Sequence, residues 1–122
     1  MRHYDELLDE QRGPFQIIVD KTWEDIDPRG QFEEDDVEEI IRKINDYTYD
    51  WFMLRVRVLF DGRELAYNYL GGCLYEDARE VLTDGTAEDV IYSTLIEAKD
   101  SLRDLKAKLA QVDESDIDKL LV

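Results

Sequence analysis

A chain of 122 residues, 43% of them hydrophobic, is long enough to bury a core as one domain and too apolar to be a disordered acidic chain. Its formal net charge of −16 argues against direct binding to nucleic acid or to an anionic membrane, since both would repel it. The single cysteine excludes an internal disulfide, and no apolar run approaches the roughly 20 residues of a membrane-spanning helix.

The first third of the chain predicts one strand and one helix. Residues 1–12 are polar with a small apolar cluster, and they contain no signal-peptide core. They are compatible with a helical turn, a mobile arm, or a segment that orders on a partner. After the Gly-Pro break at 13–14, apolar residues alternate over 15–19 as in a strand. Apolar residues at helical spacing then predict a helix over about 34–47.

The densest acid of the chain precedes and opens this helix. Acidic residues in a first turn stabilise a helix through its macrodipole, which gives Asp35 and Asp36 a purely structural interpretation. The alternative interpretation is a partner-binding surface. Its candidate residues are Asp25, Asp27, Glu33, Glu34, Asp35, Asp36, Glu38 and Glu39.

Residues 51–69 predict a β-hairpin, around which the rest of the chain is organised. The Asp-Gly pair at 61–62 lies between apolar runs and is typical of a type I′ turn, in which both central residues have positive φ. Such a turn also fixes the register, and it gives four cross-strand pairs on one mainly apolar face. The predicted pairs are Phe60 with Arg63, Val58 with Leu65, Val56 with Tyr67, and Leu54 with Tyr69.

The opposite face of this hairpin carries two arginines. Arg55 and Arg57 are two residues apart on one strand, so both side chains leave the same face. They either pair with nearby carboxylates, under a covering helix, or form an anion site. In the second case the two guanidinium groups, with Asn68 across the strand, would hold a phosphate or a cyclic nucleotide.

The last part of the chain predicts helices. The Gly-Gly pair at 71–72 predicts a bulge or an exit from the sheet, and a short helix follows over 75–82. The longest helix is predicted over 86–112, and residues 113–122 form either a last helical turn or a mobile tail. In the long helix apolar residues recur at alternating steps of four and three, so the stripe either packs on the sheet or pairs with a second copy. These residues are Ile91, Leu95, Ala98, Leu102, Leu105, Leu109 and Val112.

The predicted fold is therefore a single α+β domain over 1–122: a small antiparallel sheet built on the hairpin, a shorter acidic helix and a long C-terminal helix. No enzyme is predicted. The chain has one histidine, His3, near the N-terminus, and one cysteine, Cys73. These are too few for a zinc site, and they do not supply a positioned nucleophile–base pair. We expect no cofactor and no metal, because phosphate-loop and dinucleotide motifs are also missing.

Three sequence motifs mark the hairpin region: WFMLRVRV, which begins at Trp51, the turn Asp61-Gly62, and YLGGCLY, which begins at Tyr69. Over about residues 51–105 they resemble a family of small, uncharacterised phage and prophage proteins. Its members are similar in size and charge to phage proteins that block bacterial defence. The resemblance implies an anti-CRISPR or anti-restriction inhibitor in the host bacterial cytoplasm. Its acidic surface would imitate nucleic acid and bind a basic, nucleic-acid-binding defence protein. The alternatives are a sponge for a signalling nucleotide and a small structural or regulatory oligomer.

Overall fold

The computed structural model describes residues 2–121 as a four-stranded antiparallel sheet, in the order β1-β2-β3-β4, with helices packed on it. The α+β prediction is confirmed. No helix in this part of the chain combines the length and the apolar character needed to cross a membrane. The elements are β1 (Asp5–Arg12), β2 (Phe15–Trp23), α1 (Glu34–Asn45), β3 (Asp50–Phe60), β4 (Arg63–Tyr75), a 3₁₀ helix (Ala78–Leu82), α2 (Thr86–Leu109), α3 (Glu114–Asp118) and a C-terminal 3₁₀ helix (Lys119–Leu121).

The N-terminal segment is an edge strand rather than a mobile arm or a helical turn. β1 pairs with β2 along its length, and the turn between them contains Gly13 at a φ of +57°. The ladder shifts between Glu6 and Leu8, so Leu7 is an extra residue on β1. Leu7 and Leu8 both pack against the core. This bulge breaks the alternation that would have identified a strand in the sequence.

The predicted hairpin turn is confirmed. Asp61 and Gly62 have φ values of +50° and +76°. Two consecutive positive φ values are what a type I′ turn requires, and they match the right-handed twist of the flanking strands. Phe60 and Arg63 face each other beside the turn, as the sequence predicts.

The predicted register is wrong from Leu65 onwards. Val58 lies opposite Ala66 rather than Leu65, because Leu65 is an extra residue in β4. The bulge allows Leu65 and Ala66 both to contribute to the core. A shift of one residue moves every later side chain to the other face. Tyr67 and Tyr69 therefore lie beside the two arginines of β3 and not on the apolar face.

A second bulge, at the Gly-Gly pair, is confirmed. Phe52 pairs with Cys73 and Leu54 pairs with Leu70, which leaves Gly71 and Gly72 opposite a single residue of β3. β4 nevertheless continues beyond the glycines, so the helix predicted over 75–82 is reduced to the short 3₁₀ helix.

The core lies between one face of the sheet and the first half of α2, joined by the 3₁₀ helix that follows β4. Burying each large apolar side chain contributes about 1.5–3 kcal/mol. The most deeply buried members are Ile17, Val19, Phe52, Leu54, Val56, Val58, Val81 and Ala87.

α1 packs at one end of the opposite sheet face. Val37 of α1 is buried, and the ring of Phe32 lies 5.7 Å from the ring of Trp51 on β3. The Trp51 indole Nε1 donates a hydrogen bond of 2.9 Å to the carbonyl of Ile26. One aromatic side chain thus holds the loop between β2 and α1 against the sheet at two points.

Cys73 supports a test of this packing. Its side chain is buried, and burial raises the pKa of the thiol to about 11 from an ordinary value of 9.0. Only the thiolate reacts with disulfide reagents, so we expect native Cys73 to react about 100-fold more slowly than the unfolded chain. Because the folded state holds this proton more tightly, the thiol's contribution to the free energy of unfolding is lost as pH rises from about 9 towards 11. Reaction with an aromatic disulfide, with and without urea, measures the ratio. Equal rates would contradict the burial.

Candidate functional site

The arginine face is the sheet face away from α2 that carries Arg55, Arg57, Tyr67 and Tyr69. Its centre is an ion pair with Asp20 of β2, which lies opposite Arg55 in the register. The Arg55 Nε donates to Asp20 Oδ1 at 2.8 Å, and the Nη2 donates to Oδ2 at 2.6 Å. These bonds to the carboxylate raise the pKa of Arg55. The pairing interpretation is therefore confirmed for Arg55, whose charge is neutralised by Asp20.

Arg57 is bound less completely. Its Nη2 lies 3.6 Å from the Asp20 carboxylate, which is beyond a normal hydrogen bond. Its buried Nε has no hydrogen-bond partner within residues 2–121. Arg57 is thus the arginine of this face with donor capacity left for another group.

Three tyrosines surround the arginines. The ring of Tyr4 stacks on the Arg55 guanidinium, 3.5 Å from the Cζ to the ring centroid. The rings of Tyr67 and Tyr69 meet edge to face with centroids 5.7 Å apart, and Tyr67 is 53% exposed. Sequence reasoning missed this arrangement because it assigned Tyr67 and Tyr69 to the other face. The adjacent Leu65 and Ala66, two apolar residues where the alternation calls for one, were the signal for the bulge.

Asn68 does not belong to the arginine face, so the predicted grouping of Arg55, Arg57 and Asn68 is wrong. Asn68 lies opposite Val56 on the core side of the sheet. Its Nδ2 donates to the Thr94 hydroxyl at 2.9 Å and to the Glu97 carboxylate at 3.1 Å. These bonds attach β4 to α2, which is a structural role.

The acidic segment, residues 24–39, forms the loop after β2 and the first turns of α1. Some of its carboxylates are neutralised locally. Glu38 pairs with Arg29, and this pairing lowers the pKa of Glu38. Asp25 pairs with Arg2, and Glu39 lies within 4 Å of two basic side chains on α1.

Four other candidate carboxylates of the acidic segment have no ion-pair partner among residues 2–121. Asp27 accepts a hydrogen bond from a backbone amide in its own loop. Glu33 occupies the N-cap position of α1 without making a side-chain cap bond. Asp35 and Asp36 lie in the first turn, where the helix dipole favours them. All four side chains are exposed, so their charge faces solvent. The structure does not describe the side chain of Glu34, the remaining candidate.

The apolar stripe of α2 divides into two parts. Ile91, Leu95 and Ala98 pack against the core, as the sheet-packing interpretation predicts. Leu105 and Leu109 are exposed, with Leu109 at 58%. The helix ends there, earlier than predicted, and Val112 lies in the following turn. The second half of α2 therefore leaves the sheet with its apolar stripe uncovered.

No protein-family model, curated protein or solved structure matches this chain. The resemblance to phage proteins stays a prediction. Within residues 2–121 no group of three or more His, Cys, Asp or Glu side chains is placed to hold a metal ion.

Proposed function

We propose that the protein is a non-enzymatic, phage-type inhibitor of the anti-CRISPR or anti-restriction kind. It binds the basic nucleic-acid channel of a bacterial defence protein and so keeps nucleic acid out. The observation that carries the proposal is a group of exposed carboxylates that pair with no basic side chain of residues 2–121, in a chain of net charge −16. These carboxylates are Asp27, Glu33, Asp35 and Asp36.

The support beneath these carboxylates favours a binding role. Val37 of α1 is buried, and the loop that precedes α1 is fixed to β3 through the Trp51 hydrogen bond. Carboxylates on a supported helix and loop present negative charge at defined positions, as a phosphate backbone does. A basic channel would attract them over several ångströms, so association is fast at low salt and slows as salt screens the charges.

The test compares two variants of equal net charge. The first reverses the four unpaired carboxylates to lysine: Asp27→Lys, Glu33→Lys, Asp35→Lys and Asp36→Lys. The matched control reverses four exposed carboxylates elsewhere: Glu76→Lys, Glu80→Lys, Glu88→Lys and Asp100→Lys. Both changes bring the net charge from −16 to −8, so any difference between them reports position rather than total charge.

The readout is DNA cleavage by a panel of purified CRISPR and restriction effectors, with circular dichroism to show that each variant is folded. We expect the wild-type chain and the control to inhibit one effector, and the first variant to lose inhibition by at least about 100-fold. Inhibition that survives in the first variant, or an entirely uninhibited panel, would contradict the proposal. We also expect inhibition by the wild-type chain to be lost as the salt concentration rises from about 50 to about 300 mM, because salt screens these carboxylates.

A second function, binding of a nucleotide on the arginine face, is favoured by one observation: the Arg57 guanidinium is partly exposed, and its Nη2 stays 3.6 Å from the Asp20 carboxylate. Tyr67 and Tyr69 add exposed rings on which a base could stack. Calorimetry with cyclic nucleotides tests this, with Arg57→Ala as the variant because Arg55 is needed for the fold. Heat with wild type that disappears in Arg57→Ala supports the site, and no heat with any nucleotide removes it.

A further inference from the structure

An apolar groove lies between α2 and the sheet, near the turn that joins β1 to β2. Its volume is about 190 Å³, more than the roughly 150 Å³ of a cavity that accepts a benzene-sized group. Two basic residues also line it: Lys99, and Arg12, whose Nε already donates to the Glu10 carboxylate at 2.7 Å. Its apolar lining includes Phe15, Val58, Leu65, Leu95 and Leu102.

The C-terminal segment, residues 113–121, has the complementary character. Leu120 and Leu121 are 82% and 95% exposed, so neither is covered by the chain's own body. The segment is nevertheless folded, because Asp113 and Asp116 form a reciprocal capping box at the start of α3. It carries four acidic residues and one lysine, so its apolar end is accompanied by negative charge.

These two features match in both polarity and charge. The groove offers an uncovered apolar floor with positive side chains, and the segment offers uncovered leucines with negative side chains. Removing apolar surface from water on both sides supplies the driving force, and the basic residues select an acidic occupant. The stretch of α2 between them adds positive charge at Arg103 and Lys106, while its Lys108 pairs with Asp104.

We propose that the occupant is the C-terminal segment of a second copy of the chain. In this structure the segment leaves α2 with its leucines in solvent, past a stretch in which the stripe residues Leu105 and Leu109 are also exposed. A twofold dimer fills both grooves at once and forms a closed interface, and the exposed stripes of the two α2 helices lie within that interface. The proposal does not depend on the acidic segment or on the inhibitor function.

The first measurement is the mass in solution by sedimentation equilibrium, from micromolar concentrations to about 1 mM. We expect about twice the 14.4 kDa mass of the chain. The double variant Leu120→Asp/Leu121→Asp should raise the dimer dissociation constant by at least about tenfold, since burial of two leucines is lost. The control, Ile26→Asp/Tyr47→Asp, adds the same charge at exposed positions away from the groove and should stay dimeric.

A peptide probe then locates the contact. A fluorescein-labelled peptide of residues 112–122 should bind the Leu120→Asp/Leu121→Asp chain, whose grooves are unoccupied. Adding Lys99→Glu and Leu102→Glu to that chain should abolish peptide binding while the circular dichroism spectrum is kept. Any of three results would overturn the proposal. The wild-type chain could be monomeric, the double leucine variant could still dimerise, or the peptide could bind equally well after Lys99→Glu and Leu102→Glu.

Discussion

Replacing Asp20 with alanine is expected to lower the free energy of unfolding by roughly 3 kcal/mol, measured by urea denaturation. Asp20 is 4% exposed and holds Arg55 through two hydrogen bonds. Arginine remains charged at every accessible pH, so the variant leaves a half-buried guanidinium without its counter-charge. Arg57 loses its nearest carboxylate in the same step.

Three further variants separate the charge effect from general packing. Asp20→Asn keeps the shape and should recover only part of the loss, because the amide oxygen is a neutral acceptor. The double variant Asp20→Ala/Arg55→Met removes both charges and should be more stable than Asp20→Ala alone. Asp9→Ala, at an exposed carboxylate of β1, should stay within about 0.5 kcal/mol of wild type. A double variant as unstable as Asp20→Ala would contradict the role assigned to the pair.

Phe52→Ala is expected to lower the free energy of unfolding by about 3–5 kcal/mol, the range of large-to-small changes at fully buried rings. Phe52 is 1% exposed, lies opposite Cys73 and approaches the Tyr75 ring at 5.9 Å. Its removal leaves a cavity where β3, β4 and the 3₁₀ helix meet, and these elements cannot close it without moving the sheet.

The matched control for this substitution is Phe60→Ala, at the turn end of the same strand. Phe60 is partly exposed and contacts the Phe15 ring at 5.8 Å. Its loss should cost less than about 1.5 kcal/mol, since much of the ring already faces water. Similar denaturation midpoints for the two variants would mean that the core is not centred on Phe52.

The parts of the fold set by local chemistry could be predicted from the sequence. The Asp61-Gly62 turn needs only two residues that tolerate positive φ, and the long helix follows from its apolar period. The register was not predicted, because the bulge at Leu65 depends on core packing and its one sign in the sequence is the adjacent apolar pair Leu65-Ala66. β1 was missed for a similar reason, since its charged residues and its bulge conceal the alternation.

The candidate sites divide in the same way. Exposure of the acidic segment follows from its composition, but its internal ion pairs, such as Arg29 with Glu38, depend on how the loop folds. The partner of Arg55 was not foreseen because the predicted strand ended at Val19. In a sequence, an aspartate after an apolar run suggests that the strand ends there. Asp20 instead lies within β2, because Arg55 of the neighbouring strand neutralises its charge.

The order of the sheet has a consequence for how this chain could change over time. β2 and β3 are direct neighbours, and Trp23 at the end of β2 lies opposite Phe52 near the start of β3. Residues 24–49, including the whole acidic segment, therefore leave and re-enter the sheet at adjacent points. Lengthening such a connection twofold costs only about 0.6 kcal/mol in closure entropy. The sheet can therefore keep its core while the length and the surface residues of this connection change.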